Sequence, residues 1–210
     1  RILIISYYFA PQNAIGAVRP TKLAKYLARM GHEVTVLCGP GMNGRRDPTL
    51  ERDLRELKDV RVIREWNPLR AYKAKKTARS AASGPSAQAW QGSPRSSGLK
   101  RRVADAAYLY LWWRADRSFC HRAIAELGSL KGTYDMVFST YAPFSVHEIA
   151  REVKRRGLAK RWIADFRDEV NLSFRWQAGR KARYLRMLRR EADVLCAVSD
   201  GFLEMMGFED

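Results

Sequence analysis

Ile2-Leu3-Ile4-Ile5-Ser6-Tyr7-Tyr8 opens the chain, and Gly31-His32-Glu33-Val34-Thr35-Val36-Leu37 follows one helix later. A continuous apolar run bounded by turn residues is what a strand buried on both faces looks like. Between the two runs, Leu23, Leu27 and Met30 recur at i, i+4 and i+7, while Lys22, Lys25 and Arg29 fall elsewhere. That spacing predicts an amphipathic helix. Gly31 closes it, because a residue without Cβ takes the left-handed conformation cheaply. Strand, helix and strand within Arg1 to Pro40 predict a right-handed βαβ unit with parallel strands.

In such a sheet, ligands bind outside the carboxyl ends of the strands and face the helix N-termini. Amides there lack intrahelical partners, and the helix dipole adds partial positive charge, so a phosphate or carboxylate is welcome. Gly16, in the loop after the first strand, would let backbone approach a ligand, or would serve only a tight turn. Arg19 would add a charge-assisted contact. No G-x-G-x-x-G follows Ser6, which argues against a nicotinamide or flavin enzyme.

Thirty-nine Lys and Arg against twenty-two Asp and Glu leave a formal charge of +17 over 210 residues. Such an excess calls for an anionic partner: nucleic acid, an acidic membrane surface or a phosphorylated ligand. Cys38, Cys120 and Cys196 are too widely spaced for a C-x-x-C pair, so each is expected to pack as a small apolar residue in a reducing cytosol. Arg1 leads straight into a strand, with no signal segment expected. No apolar run approaches the roughly twenty residues a bilayer span needs.

Past Pro40 the pattern predicts a helix from Thr49 to Lys58 and a third strand from Val60 to Ile63. The next strand begins only near Tyr134, too far for an ordinary one-helix connection, so an insertion is expected at about 66–130. From Arg70 to Arg102 it carries nine basic residues and no acid. Low hydrophobicity with high charge predicts that Lys73 to Gly98 is disordered or weakly helical. Val103 to Trp113 then reads as helix, continuing toward Leu127. Its aromatic residues beside a basic cluster make Arg101, Arg102, Trp112 and Trp113 candidate contacts with an anionic membrane. Alternatively, Leu109, Trp112 and Trp113 pack against the sheet as an ordinary helix face.

A fourth strand spans Asp135 to Thr140. Ser145, three residues before Glu148, predicts a capping box for a helix running to Gly157. Thr140 and Tyr141 would then sit in a second anion-receptive crevice. His147, alone on that helix, reads as a surface or packing residue. Arg161 to Asp168 is a fifth strand ending in two acids that flank an arginine. Asp165 would accept hydroxyl hydrogen bonds, while Arg167 would pair with phosphate or neutralise Asp165 and Asp168. A basic helix with Arg180, Lys181, Arg183, Arg186, Arg189 and Arg190 follows. The sixth strand, Asp193 to Ser199, ends on a residue placed to cap a short helix. The expected fold is α/β, a Rossmann-like parallel sheet with helices on both faces.

Tyr8-Phe9-Ala10-Pro11, Gly16, Arg19 and the stretch from Leu27 to Leu37 resemble the N-terminal domain of the GT-B, family 4 glycosyltransferases. Asp165-Phe166-Arg167-Asp168 is similar to the Asp-x-Arg-Asp segment of a bacterial subset, with Val170 where a tryptophan often stands. Ala197-Val198-Ser199 resembles the stretch that leads toward the second domain. Where many family members carry a histidine motif, this chain has Ser139-Thr140-Tyr141. The resemblance implies a retaining transfer of a sugar from a nucleotide donor to a lipid-linked or saccharide acceptor, in envelope or polysaccharide synthesis on the cytoplasmic side. It implies no cofactor and no metal. Taking the strand-end positions and the resemblance together, Asp165 and Asp168 would be catalytic, and Gly16, Arg19, Thr140, Tyr141, Arg167 and Ser199 would bind substrate or phosphate. A second Rossmann-like domain holding most of the nucleotide sugar is expected beyond Asp210, which makes the chain an expected fragment, inactive alone. Two alternatives stand: a GT-B nucleotide-sugar epimerase and a basic nucleic-acid-binding module. The latter is disfavoured, because no recognised motif is present and Trp112-Trp113 sits on an apolar pattern.

Overall fold

The structure is a computed structural model describing residues 1–41, 46–69, 99–168 and 178–208. Strands β1 (Ile2–Ser6), β2 (Val34–Cys38), β3 (Asp59–Val62), β4 (Tyr134–Thr140), β5 (Ala159–Phe166) and β6 (Val194–Ala197) form one sheet. All neighbouring strands pair in parallel, in the order β3-β2-β1-β4-β5-β6. This is the doubly wound Rossmann order, and the chain reverses direction across the sheet between β1 and β4.

Helices α1 (Ile15–Arg29) and α2 (Pro48–Leu54) are followed by α3 (Leu99–Glu126), α4 (Ser145–Arg155), α5 (Ala178–Glu191) and α6 (Asp200–Met205). Successive side chains of β1 point to opposite faces, as a pleated strand requires. Ile2 and Ile4 join Ala17, Ala24, Val36 and Leu50 on one face, while Leu3 and Ile5 join Phe119, Ile149 and Trp162 on the other. Both faces are therefore apolar, and that explains the unbroken run in β1.

The expected apolar stripe of α1 packs on the sheet at Leu23 and Leu27 but not at Met30, and the most deeply buried positions are others. Met30 is 73% exposed, and the buried positions are Ala17, Pro20, Thr21 and Ala24. Small side chains let the helix axis lie close to the sheet, and Leu23 and Leu27 flank that contact. Lys22 and Lys25, expected on a solvated face, both bond Asp53 of α2, at 2.5 and 2.6 Å. Burial works to raise the Asp53 carboxyl, but the two ammonium groups outweigh it and hold the acid below its usual range. Gly31 takes φ 89°, the left-handed closure the sequence predicts.

The connection from β3 to β4 must cross β2 and β1, and α3 supplies part of it. Ala115, Phe119, Cys120 and Ala123 of α3 are buried, whereas Val103 and Tyr110 are exposed. The last turns of the expected insertion thus belong to the core, and its earlier turns stand outside it. Lys73 to Gly98 lies outside the described residues. Among the described residues no helix is long and apolar enough to cross a membrane. All three cysteines are free.

The capping box expected at Ser145 does not form. Phe144 occupies the N-cap without a side-chain bond, and Ser145 Oγ donates to Asp116 of α3 instead. Glu148 turns to Arg117 at 2.5 Å. Packing between α3 and α4 has outcompeted a local cap, since the buried Asp116 carboxyl is costly without donors.

His147 is a core residue. It is fully buried, and its Nδ1 lies 2.7 Å from Ser139 Oγ, which also accepts from Trp162 Nε1 at 2.8 Å. Burial drives its pKa down to about 3. Unfolding at a pH below the ordinary value of 6.5 therefore takes up a proton that the native imidazole refuses. Stability should fall as pH drops from about 6.5 toward 3, by up to about 1.4 kcal/mol per pH unit from this group. A His147→Gln variant should lose that component in urea titrations at successive pH values; an unchanged slope would show that His147 does not cause it.

Candidate active site

Strand register lines up the carboxyl ends. Ser6 pairs with Thr140, Thr140 with Asp165 and Asp165 with Cys196, forming one row across β1, β4, β5 and β6. Beyond that row, Tyr8, Gly16, Arg19, Ala142, Arg167, Asp168 and Val198 line an open cleft of about 670 Å³. It sits at the topological switch between β1 and β4, where open α/β sheets bind ligands.

Asp165 is completely buried, and each of its oxygens is engaged. Oδ1 accepts from Arg19 Nη2 at 2.7 Å, and Oδ2 accepts from Thr140 Oγ1 at 2.8 Å. Arg19 reaches in from α1 with its side chain 47% exposed, so one part of the guanidinium faces the cleft. Three residues singled out in the sequence thus meet across β5, β4 and α1. The arginine that neutralises Asp165 is Arg19 rather than Arg167.

Arg167 does something else. Its Nε and Nη2 donate to the Tyr141 carbonyl at 3.1 and 2.9 Å, and its Nη1 donates to the Gly16 carbonyl at 3.0 Å. Desolvation lowers its pKa, against the pull of Asp168 and Asp165. One guanidinium therefore ties the segment after β4 to the first turn of α1. Gly16 is the second residue of α1, not a loop residue, and it is absent from the left-handed region. A Cβ there would stand 3.2 Å from Arg167 Nη1 and 3.3 Å from Tyr8 Cδ2, so a side chain at this position would press on the arginine and the tyrosine ring.

Tyr141 contributes its carbonyl to that tie, while its ring packs against Phe144 and Phe166 in the core. The peptide bonds on both sides of Ala142 are cis. Asp168 is exposed on the cleft wall. Ser199 occupies the N-cap of α6, but its side chain makes no capping bond. Val198, 59% exposed, and Ile15, 95% exposed, add an apolar lip that the sequence reading missed. Their exposure depends on sheet topology, which no local pattern reports.

The candidate membrane residues lie elsewhere. Trp112 packs against the core with its ring 6.1 Å from Tyr7, and the Arg180 guanidinium covers Trp113 at 5.6 Å. The side chains of Arg101 and Arg102 lie outside the described residues. Among the described residues, no group of three or more His, Cys, Asp or Glu is placed to hold a metal ion. No protein-family model matches the chain, and neither does any curated protein.

The cleft can hold an anion against Arg19 while Asp165 fixes where that arginine stands. Arg19→Met would leave a buried carboxylate with only Thr140 as partner, costing about 2–3 kcal/mol. The double variant Arg19→Met/Asp165→Asn should recover most of this. Urea denaturation of the four proteins in the cycle measures it; a single variant as stable as the parent would show the pair to be energetically idle.

Proposed function

We propose that this chain is the acceptor-side, Rossmann-like half of a glycosyltransferase that moves a sugar from a nucleotide donor to a lipid-linked or saccharide acceptor. The observation that carries the reading is Arg19, held half-exposed at the switch-point cleft by the buried Asp165. The resemblance of Gly31 to Leu37 and of Asp165 to Asp168 to family 4 enzymes supports it independently.

The residues divide the work on this reading. Arg19 offers positive charge to the departing diphosphate, where a preorganised group stabilises charge that develops in the transition state. Asp168, exposed on the cleft wall, takes the hydrogen bonds of a sugar hydroxyl or orients the acceptor. Asp165 and Thr140 are positioning residues, since both carboxylate oxygens are already used inside the protein. Arg167 and Gly16 keep the α1 N-terminus beside the end of β4, so that amides and cation converge. A second nucleotide-binding domain would complete the donor site across the cleft.

The test is transfer of radiolabelled sugar from nucleotide sugars into lipid-linked and oligosaccharide acceptors by the full-length gene product. Arg19→Gln should lower kcat by about 10²-fold, the scale for removing one transition-state donor. Asp168→Asn should lower kcat/KM for the acceptor more than for the donor. Transfer unchanged in both variants would move the site out of this cleft. Salt-sensitive binding of nucleic acid without any transfer would favour a basic nucleic-acid-binding module instead.

A further inference from the structure

Residues four apart stack along one face of a helix, and α3 carries two such rows side by side. Trp113, Arg117 and His121 form one, and Arg114, Ser118 and Arg122 form the other. The segment just after β3 runs beside them. There Ile63 and Glu65 are buried while Arg64 and Trp66 are exposed, and the Trp66 amide donates to Ser118 Oγ at 2.9 Å. Trp66 and the two rows bound an open groove of about 490 Å³. That size falls within the roughly 300–1,000 Å³ of small-ligand sites.

Among the described residues, no carboxylate lines this groove. Arg117 is answered by Asp116 and Glu148, at 3.3 and 2.5 Å, and leaves no charge over. Arg114 and Arg122 are different. Both are exposed, and neither makes an ion pair among the described residues; Arg114 only touches the Tyr110 hydroxyl, at 3.4 Å. The sequence from Arg70 to Arg102 contains no acid, so that stretch brings no counter-charge either. Two accessible guanidinium groups are therefore unbalanced. Trp66 supplies a second chemistry. It is 49% exposed, and the Arg114 guanidinium lies over its ring, 5.7 Å from the centroid. That is within cation–π reach, and a guanidinium lying over a ring keeps N–H donors for an anion beside it.

We propose that this groove binds a nucleoside diphosphate, its base against the Trp66 indole and its phosphates on Arg114 and Arg122. The cations alone would suit any anion, and the indole alone any apolar ring. A base that carries phosphates uses both. Arg114 and Arg122 stand eight residues apart, about 12 Å along the helix, a span that two long side chains close onto adjoining phosphates. Arginines only donate, so a neutral sugar would find few acceptors for its hydroxyl hydrogens here. A bilayer is too broad to enter a groove of this size. The site shares no residue with the Arg19 cleft and does not depend on the sugar-transfer reading.

Isothermal titration calorimetry of the chain with ADP and with UDP tests it, and both should bind saturably at one site. Adenosine and pyrophosphate, each one half of the ligand, should bind at least about tenfold more weakly. Trp66→Ala should weaken ADP by about tenfold, the loss of one stacking platform, while Trp66→Phe keeps most of the affinity. Arg122→Gln should also cost about tenfold, the loss of one charge-assisted hydrogen bond, and strands no acidic partner. Arg19→Gln should change nothing, which separates this groove from the cleft. No saturable binding of either nucleotide would overturn the proposal, as would pyrophosphate binding as tightly as ADP. Unchanged ADP affinity in Trp66→Ala or in Arg122→Gln would place the nucleotide elsewhere and overturn it too. Single-stranded oligothymidylate or phosphatidylglycerol vesicles held far more tightly than ADP, and released by the same substitutions, would reassign the groove to nucleic acid or membrane.

Discussion

The ion pair between Asp165 and Arg19 is the constraint on which the cleft depends. A carboxylate with no exposed surface cannot stay charged without a partner of opposite sign. Its position is set by β-register, because Asp165 lies opposite Thr140 on one side and Cys196 on the other. Its demand for a cation then fixes a helix: Arg19 is on α1, and α1 must start where that arginine can reach. Arg167 adds a second fastening to the same helix by way of the Gly16 carbonyl. Two guanidinium groups in adjacent positions thus serve opposite ends of one task. One answers a buried charge, and the other gathers backbone carbonyls.

The remaining polar features of the interior obey the same rule. Asp116, buried in α3, takes a hydrogen bond from Ser145 and an ion pair from Arg117, although burial still raises its pKa. Asp53 collects two lysines. Ser139 serves both Trp162 and His147. Several of the basic side chains are consequently spent on holding helices to one another. Arg29 on Glu56 and Arg151 on Glu191 are further cases, each through two nitrogens of the guanidinium.

The strands were legible in the sequence because both sheet faces are covered, which turns each strand into a short apolar run with turn residues at its ends. Strand ends agree with the expectation to within a residue or two, as with Ile63, whose amide still bonds Cys38 just past β3. Asp165 and Thr140 were legible as site candidates from their place at strand ends, and Arg19 from its place near the start of the helix after β1. Their pairing was not: which arginine meets Asp165 depends on the distance between α1 and β5, and Arg19 and Asp165 are 146 residues apart in the chain. The most deeply buried positions of α1, beside Leu23 and Leu27, were not legible for a related reason. Hydrophobic periodicity marks large side chains, whereas a helix lying close to a sheet buries small ones. Ser145 and His147 show the same limit, since their partners lie on α3, β4 and β5 rather than in the local turn.

Strand β1 sits at the centre of the sheet between β2 and β4. Its pairing with β2 joins residues only a helix apart, but its other edge waits for Met136 to Thr140. At a synthesis rate of about 5–20 residues per second, more than a hundred residues of delay leave that edge bare for roughly 5–25 s on the ribosome. The strand exposed during this interval is the most apolar in the chain, so nascent protein is at its stickiest before β4 emerges. The lysines and arginines between β3 and β4 are made within the same interval, and their like charge keeps neighbouring nascent chains apart while the edge is open.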